Sequence, residues 1–171
     1  MLYSIQIRSL QGGDPPIISA AFESIGWVKP IPQYERYWAE QMAGTRVCLV
    51  ATMGGEFAGY VTINWVSSYP GFAEPQIPEI QDLNVLPGFR RQGVASRLLD
   101  SAETEVAHRS DIVGIGVGLH PGYNPAQRLY AKRGYIPDGR GVTYMDRFVQ
   151  EGTQVVLDDD LVLHLTKHLR P

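Results

Sequence analysis

The sequence predicts a mixed α/β fold, in which a mixed β-sheet is covered by helices on both faces. Two observations carry this prediction: strand-like segments follow one another in a run, and strand-like and helix-like segments then alternate toward the C-terminal end. A third observation is length, because 171 residues suffice for one well-buried core but leave no room for a second complete domain. We therefore expect residues 1–171 to form a single domain.

The N-terminal part predicts one strand and two short helices. Residues 2–10 alternate apolar and polar side chains, as in a half-buried strand, and a turn follows at residues 12–16. Residues 17–25 and 33–42 show helical spacing, and Gly26 and a proline-rich stretch separate them. We expect two helices with a bend between them.

The middle of the chain predicts a β-hairpin, a strand and an amphipathic helix. Residues 46–53 and 57–66 are rich in Val, Ile, Thr and aromatic side chains, and a glycine turn at residues 54–56 separates them. Residues 79–86 form the next predicted strand. Residues 94–107 carry the apolar stripe of an amphipathic helix.

The next predicted strand, residues 111–119, has glycines on one face only. Gly114, Gly116 and Gly118 share that face, which indicates either that something bulky lies against it or that the strand bends.

The C-terminal part predicts a short helix and two more strands. Asn124 suits the N-cap of the helix, Pro125 suits its first position, and Gly134 suits its end. Strands are expected near residues 142–148 and 161–166. The three aspartates at residues 158–160 are interpreted as a solvated turn.

Composition and charge exclude several classes of protein. Hydrophobic residues make up 44% and charged residues 19%, as is usual for soluble globular proteins. The net charge of -3 gives no reason to expect a nucleic-acid partner. The longest apolar run, residues 47–51, is far shorter than the roughly 20 residues that span a bilayer. We expect neither nucleic-acid binding nor a membrane span.

Cysteine and histidine content predicts neither a disulfide nor a metal site. Cys48 is the only cysteine and lies in a strand-like run, so we interpret it as a buried structural thiol. His108, His164 and His168 show no metal-ligand spacing with carboxylates or thiols. Because the N-terminal residues also lack the pattern of a secretion signal, we expect a cytoplasmic protein.

Residues 87–96 join a predicted strand to an amphipathic helix and contain a glycine and two arginines. The first N–H groups of a helix point outward and, with the positive end of the helix dipole, form a site for anions. Gly93 lets a phosphate approach the backbone, Ala95 keeps the helix start open, and Arg90 and Arg91 add positive charge. We expect a pyrophosphate ligand. The alternative is a basic loop capped by glycine, whereas the P-loop and dinucleotide glycine patterns do not occur.

Two groups of residues together resemble the signatures of GNAT acetyltransferases. The first is Asp82-Leu83-Asn84-Val85-Leu86-Pro87 leading into Arg90-Arg91-Gln92-Gly93-Val94-Ala95, with Leu98-Leu99 following. The second is Asn124-Pro125-Ala126, then Leu129-Tyr130, then Gly134-Tyr135. The resemblance is strong over residues 79–136. Ala95 departs from it, since the family often has glycine there, and the region after Gly134 is longer and more glycine-rich than the family's minimum.

The resemblance implies the GNAT acyltransferase fold, with a central, mostly antiparallel mixed sheet, and acetyl transfer from acetyl-CoA to an amine. By the same resemblance, backbone groups near Asn84 and Val85 hold the pantetheine arm, and the Val85 N–H stabilises the oxyanion. Asn124 binds the pantetheine chain, caps its helix, or does both. The predicted binding residues are Leu83, Asn84, Val85, Arg90, Arg91, Gln92, Gly93, Val94, Ala95, Ser96 and Asn124.

The reaction needs a proton acceptor and a proton donor. A protonated alkylamine, with a pKa of about 10.4, cannot attack a thioester, so a base or a water must take its proton. Glu79 and Asp82 are the candidates, and a regular strand would point them to opposite faces. The other interpretation of Glu79 is a surface carboxylate, with the preceding Pro78 placing it at the solvated start of the strand. Tyr130 resembles the family residue that protonates the departing thiolate, and packing is its other interpretation. His120, at a strand end, is a further candidate base or a loop residue.

The acceptor is less clear from the sequence. Several aromatic side chains are candidates for an amine pocket or for ordinary core packing, namely Trp27, Tyr34, Tyr37, Trp38, Trp65, Tyr69 and Phe72. A small primary amine, an antibiotic amine and a peptide N-terminus all remain open as acceptors, and a homodimer remains open as the assembly. The alternative functions are a non-catalytic acyl-CoA-binding or sensory domain and an enzyme that uses a longer acyl-CoA.

Overall fold

The computed structural model describes residues 4–170, so the first two residues of the predicted opening strand lie outside it. The first half contains β1 (Ile5–Ser9), α1 (Asp14–Glu23), α2 (Ile31–Met42), β2 (Arg46–Met53), β3 (Glu56–Asn64) and α3 (Pro70–Ala73). The second contains β4 (Glu79–Val85), α4 (Val94–Ala107), β5 (Ile112–Gly118), α5 (Asn124–Lys132), β6 (Ile136–Tyr144), β7 (Arg147–Phe148) and β8 (Leu161–His168). Between residues 4 and 170, no helix is long and apolar enough to cross a membrane.

The strands of the described chain form an eight-stranded sheet in the order β1-β2-β3-β4-β5-β8-β6-β7. The β4–β5 pair is parallel, whereas β1–β2, β2–β3, β5–β8, β6–β8 and β6–β7 are antiparallel. The last strand, β8, therefore lies between β5 and β6. The predicted mixed, mostly antiparallel sheet is confirmed.

Residues with turn chemistry set the boundaries of the first hairpin and of α1. Gly54 and Gly55 both have positive φ, 62° and 86°, as a two-residue hairpin turn requires, and β3 begins directly afterwards. The predicted loop at residues 12–16 is partly wrong, because α1 begins at Asp14 and takes Pro15 into its first turn. Proline is tolerated there because the N–H it lacks would have no partner in the helix.

The predicted strand at residues 142–148 is wrong in its extent. The structure has β6 from Ile136 to Tyr144, then a tight turn at Met145 and Asp146, then the short β7. Met145 and Asp146 both have positive φ, 52° and 61°, and Tyr144 pairs with Arg147 across them. Methionine rarely adopts left-handed backbone angles and is not a typical turn residue, so the sequence pattern did not indicate this hairpin.

The chain forms two compact units. Unit 1 comprises the described residues up to Asn64 together with Gln81–Glu105, and unit 2 comprises Trp65–Ile80 together with the described residues from Val106 onward. The core of unit 1 includes Leu10, Ile18, Phe22, Tyr34, Cys48, Val50, Phe57 and Tyr60. Cys48 is fully buried, and burial raises its pKa to about 12, which confirms the interpretation of a structural thiol.

Aromatic rings cover the glycine face of β5 in unit 2. A Cβ built on Gly114 would collide with the Phe72 ring, and one built on Gly118 would collide with the Tyr123 ring. The expectation that bulky groups lie against this face is therefore confirmed.

Candidate functional site

The turn between β4 and α4 in unit 1 has the backbone geometry of an anion site. A 3-10 turn at Pro87–Phe89 leaves β4, and the Gln92 side chain donates a hydrogen bond to the Gly88 carbonyl at 2.9 Å. Arg91 and Gly93 have positive φ, 59° and 89°. The first helical hydrogen bond runs from the Arg97 N–H to the Gly93 carbonyl at 3.0 Å. The N–H groups of residues 94–96 therefore precede the helical ladder and point out of it.

The two predicted arginines of this turn are exposed. Arg90 donates from Nε to the Val85 carbonyl at 3.2 Å, and its guanidinium lies 5.6 Å from the centroid of the Trp27 ring. Arg90 therefore connects the turn to the end of β4. Together with Arg91 it places positive charge beside the start of α4, where the helix dipole acts in the same direction.

The β4 strand is irregular at the residues predicted to hold the thioester. Asp82 has a φ of 55°, which interrupts the regular alternation of side chains, so the argument that Asp82 and Glu79 point to opposite faces does not apply. Strand β3 approaches β4 closely here, because a Cβ built on Gly59 would collide with the backbone oxygen of Asn84. The Leu86 N–H donates to the Ala58 carbonyl at 2.9 Å. Backbone contacts with β3 thus hold this part of β4, and the Asn84 amide also donates to the Asp82 carboxylate.

The Asp82 carboxylate is the centre of a hydrogen-bond cluster in unit 1. Its Oδ2 atom accepts from the Tyr60 hydroxyl at 2.6 Å, the Tyr37 hydroxyl at 2.9 Å and the Gln33 amide at 3.2 Å. Its Oδ1 atom accepts from the Asn84 amide at 2.8 Å. The sequence analysis missed Gln33, which no local pattern marks, and considered Tyr37 only as a candidate for an amine pocket or for core packing.

Burial and the neighbouring carboxylate keep the tyrosines of this cluster protonated. Burial first, and then the negative charge of Asp82, raises the pKa of Tyr37 to about 12 and moves the pKa of Tyr60 in the same direction. Both hydroxyls are therefore donors to Asp82 at neutral pH.

The α5 helix of unit 2 carries Tyr130 and ends as predicted. The Gly134 N–H donates to the Ala131 carbonyl and the Tyr135 N–H to the Tyr130 carbonyl, both at 3.1 Å, with φ of 87° at Gly134. This is the Schellman arrangement, which needs a left-handed residue after the helix. Tyr130 is 5% exposed, and burial raises its pKa, so its phenol keeps its proton at neutral pH.

The prediction that Asn124 is the N-cap of α5 is wrong. Asn124 has helical dihedral angles, φ −49° and ψ −45°, and Tyr123 occupies the cap position without a side-chain capping bond. A 3-10 turn at Pro121–Tyr123 runs directly into the helix, so the helical conformation is reached one residue earlier than the sequence pattern indicates. A contact between the Asn124 amide and pantetheine stays a prediction.

Glu79 lies in a buried polar cluster of unit 2. It is 5% exposed, and its Oε2 atom accepts from the Ser67 hydroxyl at 2.5 Å. The Ser67 oxygen in turn accepts from the Tyr69 N–H at 3.0 Å. The interpretation of Glu79 as a surface carboxylate is wrong, because these neighbours enclose it. Its role as a base stays a prediction.

His164 lies beside Glu79 and is almost completely buried. Its Nε2 atom lies 3.9 Å from Glu79 Oε1, and its ring stacks on the Tyr69 ring with 3.6 Å between centroids. Burial lowers the pKa of His164 to about 4, although the carboxylates of Asp138 and Asp146 act in the opposite direction. The imidazole is therefore neutral at neutral pH.

The pH dependence of unfolding is expected to report this buried imidazole. In the unfolded chain the pKa of His164 returns to about 6.5, so below that pH the unfolded state binds the proton more readily and the folded state loses stability. The loss begins near pH 6.5 and is complete near the folded pKa of about 4. A pKa shift of this size corresponds to about 3 kcal/mol in the free energy of unfolding.

Urea unfolding of the wild type and of His164→Phe, at about pH 7 and about pH 4.5, measures this contribution. The phenylalanine ring retains the stack on Tyr69 but carries no proton, so the variant should lose less stability on acidification. An equal loss in both proteins would show that other groups account for the pH dependence.

His120 has a local role in unit 2. Its Nδ1 atom accepts from the Gly122 N–H at 3.1 Å, and its Nε2 atom lies 2.8 Å from Asp159 Oδ1. The Tyr144 hydroxyl donates to Asp158 at 3.0 Å. The turn predicted at residues 158–160 is confirmed, and its carboxylates also hold neighbouring side chains.

The aromatic residues considered for an amine pocket differ in how far they are buried. Tyr34 in unit 1 and Tyr69 and Phe72 in unit 2 are fully buried, as core packing requires. Trp27 remains 36% exposed. Among residues 4–170, no group of three or more His, Cys, Asp or Glu side chains is arranged to hold a metal ion.

Comparison with known proteins places these observations in a family. The sequence model of the acetyltransferase (GNAT) family matches residues 14–135. Among curated proteins, no sequence matches the chain.

Three solved structures illustrate the similarity of fold. The N-acetyltransferase from Staphylococcus aureus Mu50 has 17% identity and a TM-score of 0.71, with 98% of this chain and 99% of that chain covered. The yncA structure from Salmonella typhimurium, with its cofactor acetyl-CoA, has 18% identity and a TM-score of 0.69, with 97% and 94% covered. Ribosomal-protein-alanine N-acetyltransferase from Brucella melitensis has 17% identity and a TM-score of 0.69, with 95% and 99% covered. At these identities the similarity establishes the fold, and with the family match over residues 14–135 the chain belongs to the GNAT acetyltransferase family.

Proposed function

We propose that the chain, acting as one GNAT domain, is an acetyl-CoA-dependent N-acetyltransferase. It transfers the acetyl group to a primary amine directly, with both substrates bound in a ternary complex. The observation that carries the proposal is the start of α4, where Gly93 at positive φ and the outward N–H groups of residues 94–96 form a cradle for an anion.

The residues of this cradle fit the pyrophosphate of acetyl-CoA, which supplies the acetyl group as a thioester. The N–H groups of Val94, Ala95 and Ser96 would donate to the phosphate oxygens, and Arg90 and Arg91 would balance their charge. The short side chain of Ala95 leaves the helix start accessible. Gln92 holds the turn through the Gly88 carbonyl. The yncA structure, which contains acetyl-CoA, supports this assignment.

The backbone of β4 would hold the pantetheine arm through Leu83, Asn84 and Val85, with Asn124 as a further ligand. The Val85 N–H would donate to the thioester oxygen as negative charge develops on it. A rigid backbone donor suits this role, because it needs no reorganisation during the reaction. Strand β3 packs closely against this part of β4, because a Cβ built on Gly59 would collide with the Asn84 backbone oxygen.

The proton steps are assigned to two carboxylates and a phenol. Glu79, Asp82 or a bound water would accept the proton of the ammonium group before attack. Tyr130 would donate its phenolic proton to the departing sulfur, and its phenol is protonated at neutral pH.

The structural neighbours suggest a class of acceptor. The Brucella melitensis protein and the Escherichia coli ribosomal-protein-S18-alanine N-acetyltransferase act on ribosomal-protein alanine, as their names state. Peptide amines should therefore be tested as acceptors for this chain together with small amines.

Titration with acetyl-CoA, followed by a panel of amines in an assay for released thiol, tests the proposal. We expect saturable binding of acetyl-CoA and thiol release that depends on at least one amine. Binding without amine-dependent release across small amines and peptides would favour a non-catalytic acyl-CoA-binding domain. Failure to bind acetyl-CoA at all would contradict the proposal.

A further inference from the structure

Lys29 places an alkylammonium group on the Asp82 carboxylate. The Lys29 Nζ atom lies 3.5 Å from Asp82 Oδ1 and 5.7 Å from the centroid of the Phe22 ring. Both side chains of the ion pair are only 23% exposed. One carboxylate and the face of one aromatic ring therefore surround a primary ammonium group, an arrangement that favours organic cations.

Within residues 4–170, the side-chain hydrogen bonds to the Asp82 carboxylate come from neutral groups. Tyr37, Tyr60, Gln33 and Asn84 donate hydrogen bonds to it and contribute no positive charge. If the Lys29 side chain left, a largely buried carboxylate would keep its hydrogen bonds but lose its counter-ion. Burial of an unpaired charge is costly, so the carboxylate would then favour another cation.

Lys29 is able to leave without rearrangement of the backbone around it. The Ser19 hydroxyl donates to the Lys29 carbonyl at 2.6 Å, which fixes the backbone of the connection between α1 and α2. The neighbouring Val28 is 92% exposed, so this connection faces solvent. The four-carbon stem of lysine rotates freely, and its ammonium group is well hydrated in water. Exchange of one ammonium group for another therefore needs only side-chain motion.

We propose that the site formed by the Asp82 carboxylate and the Phe22 ring binds the ammonium group of an aliphatic primary amine, and that Lys29 occupies this site until an acceptor amine displaces it. The inference rests on the proposed function, because the bound amine is the acetyl acceptor only if the chain transfers acetyl groups to amines. It narrows the acceptor class to cationic alkylamines, such as a lysine side chain or the end of a polyamine. Lys29 is then an internal competitor that weakens amine binding.

Calorimetry with n-butylammonium, which reproduces the end of a lysine side chain, tests this site in the absence of acetyl-CoA. We expect Lys29→Met to bind n-butylammonium up to about fivefold more tightly than the wild type, because an internal ion pair no longer has to be broken first. Lys29→Arg should show no gain, because it keeps the internal cation. Lys132→Met removes an exposed lysine of α5 and controls for net charge.

Two further measurements separate a cation site from a simple cavity. The double variant Lys29→Met with Asp82→Asn should lose the gain, because the neutral amide attracts no cation. Neutral n-butanol should bind all variants equally weakly. Equal affinity of wild type and Lys29→Met for n-butylammonium, or an equal gain for n-butanol, would overturn the inference. Because binding is measured without acetyl transfer, a protein that binds the ammonium ion but releases no thiol contradicts only the proposed function.

Discussion

Gly93→Glu is expected to abolish acetyl-CoA binding while the protein remains folded. The substitution puts a carboxylate at the start of α4, where the N–H groups and the positive end of the helix dipole would otherwise meet a pyrophosphate. Because Gly93 has a φ of 89°, the side chain also brings backbone strain. That strain costs about 1–2 kcal/mol, or roughly 2–8 °C in Tm for a chain of this size. Calorimetry on the folded variant measures the loss.

Gly152→Glu is the matched control for Gly93→Glu. Gly152 has a φ of 83° and open space around its Cα, so the control adds the same charge and similar strain outside the turn. It should bind acetyl-CoA as the wild type does. Gly93→Ala adds the strain without the charge and should retain measurable binding. Wild-type affinity in folded Gly93→Glu would remove the assignment of this turn to the cofactor.

Tyr130→Phe is expected to lower turnover far more than it weakens acetyl-CoA binding. General acid catalysis typically contributes about 10²- to 10⁴-fold in rate. One neutral hydrogen bond to a bound ligand is worth only about 0.5–1.5 kcal/mol. Phenylalanine keeps the ring that packs beside Tyr135, with 5.9 Å between centroids, so the fold should be little affected. Rates of thiol release and the affinity for acetyl-CoA, measured with the best amine, separate the two effects.

Tyr135→Phe makes the same change on the neighbouring buried ring and should leave turnover nearly unchanged. Both variants need a comparison of single-turnover rates, because slow product release conceals a loss in the chemical step. Near-normal single-turnover rates for Tyr130→Phe would make Tyr130 a packing residue. The proton of the departing thiol would then come from water or another group.

The elements with strong local signals were predicted from the sequence. Helix α4 spans the predicted residues because its apolar stripe is long and regular, and Leu98, Leu99, Ala102 and Val106 are all fully buried. Gly134 ends α5 through its left-handed conformation, which few other residues adopt. These features depend on residues close together in sequence, so one sequence is enough to show them.

The features that the sequence did not predict depend on tertiary contacts or on uncommon backbone angles. Nothing in the sequence pairs Lys29 with Asp82, which are far apart in the chain and meet only in the folded unit. The positive φ of Asp82 interrupts a strand that its composition predicts to be regular. Glu79 was interpreted as a surface carboxylate because glutamate is usually exposed, and only the fold shows that Ser67 and His164 enclose it.

The close approach of β3 to β4 at Gly59 also limits how this protein can be re-engineered. Even a methyl group at position 59 would collide with the Asn84 backbone oxygen. A backbone atom cannot move away by changing a rotamer, so the collision would shift the strand. A library designed to alter the acceptor range should therefore keep glycine at position 59. A methyl group added at position 88 would have no atom within 4 Å, so that position tolerates diversification on steric grounds. A change in acceptor range therefore has to come from positions other than Gly59.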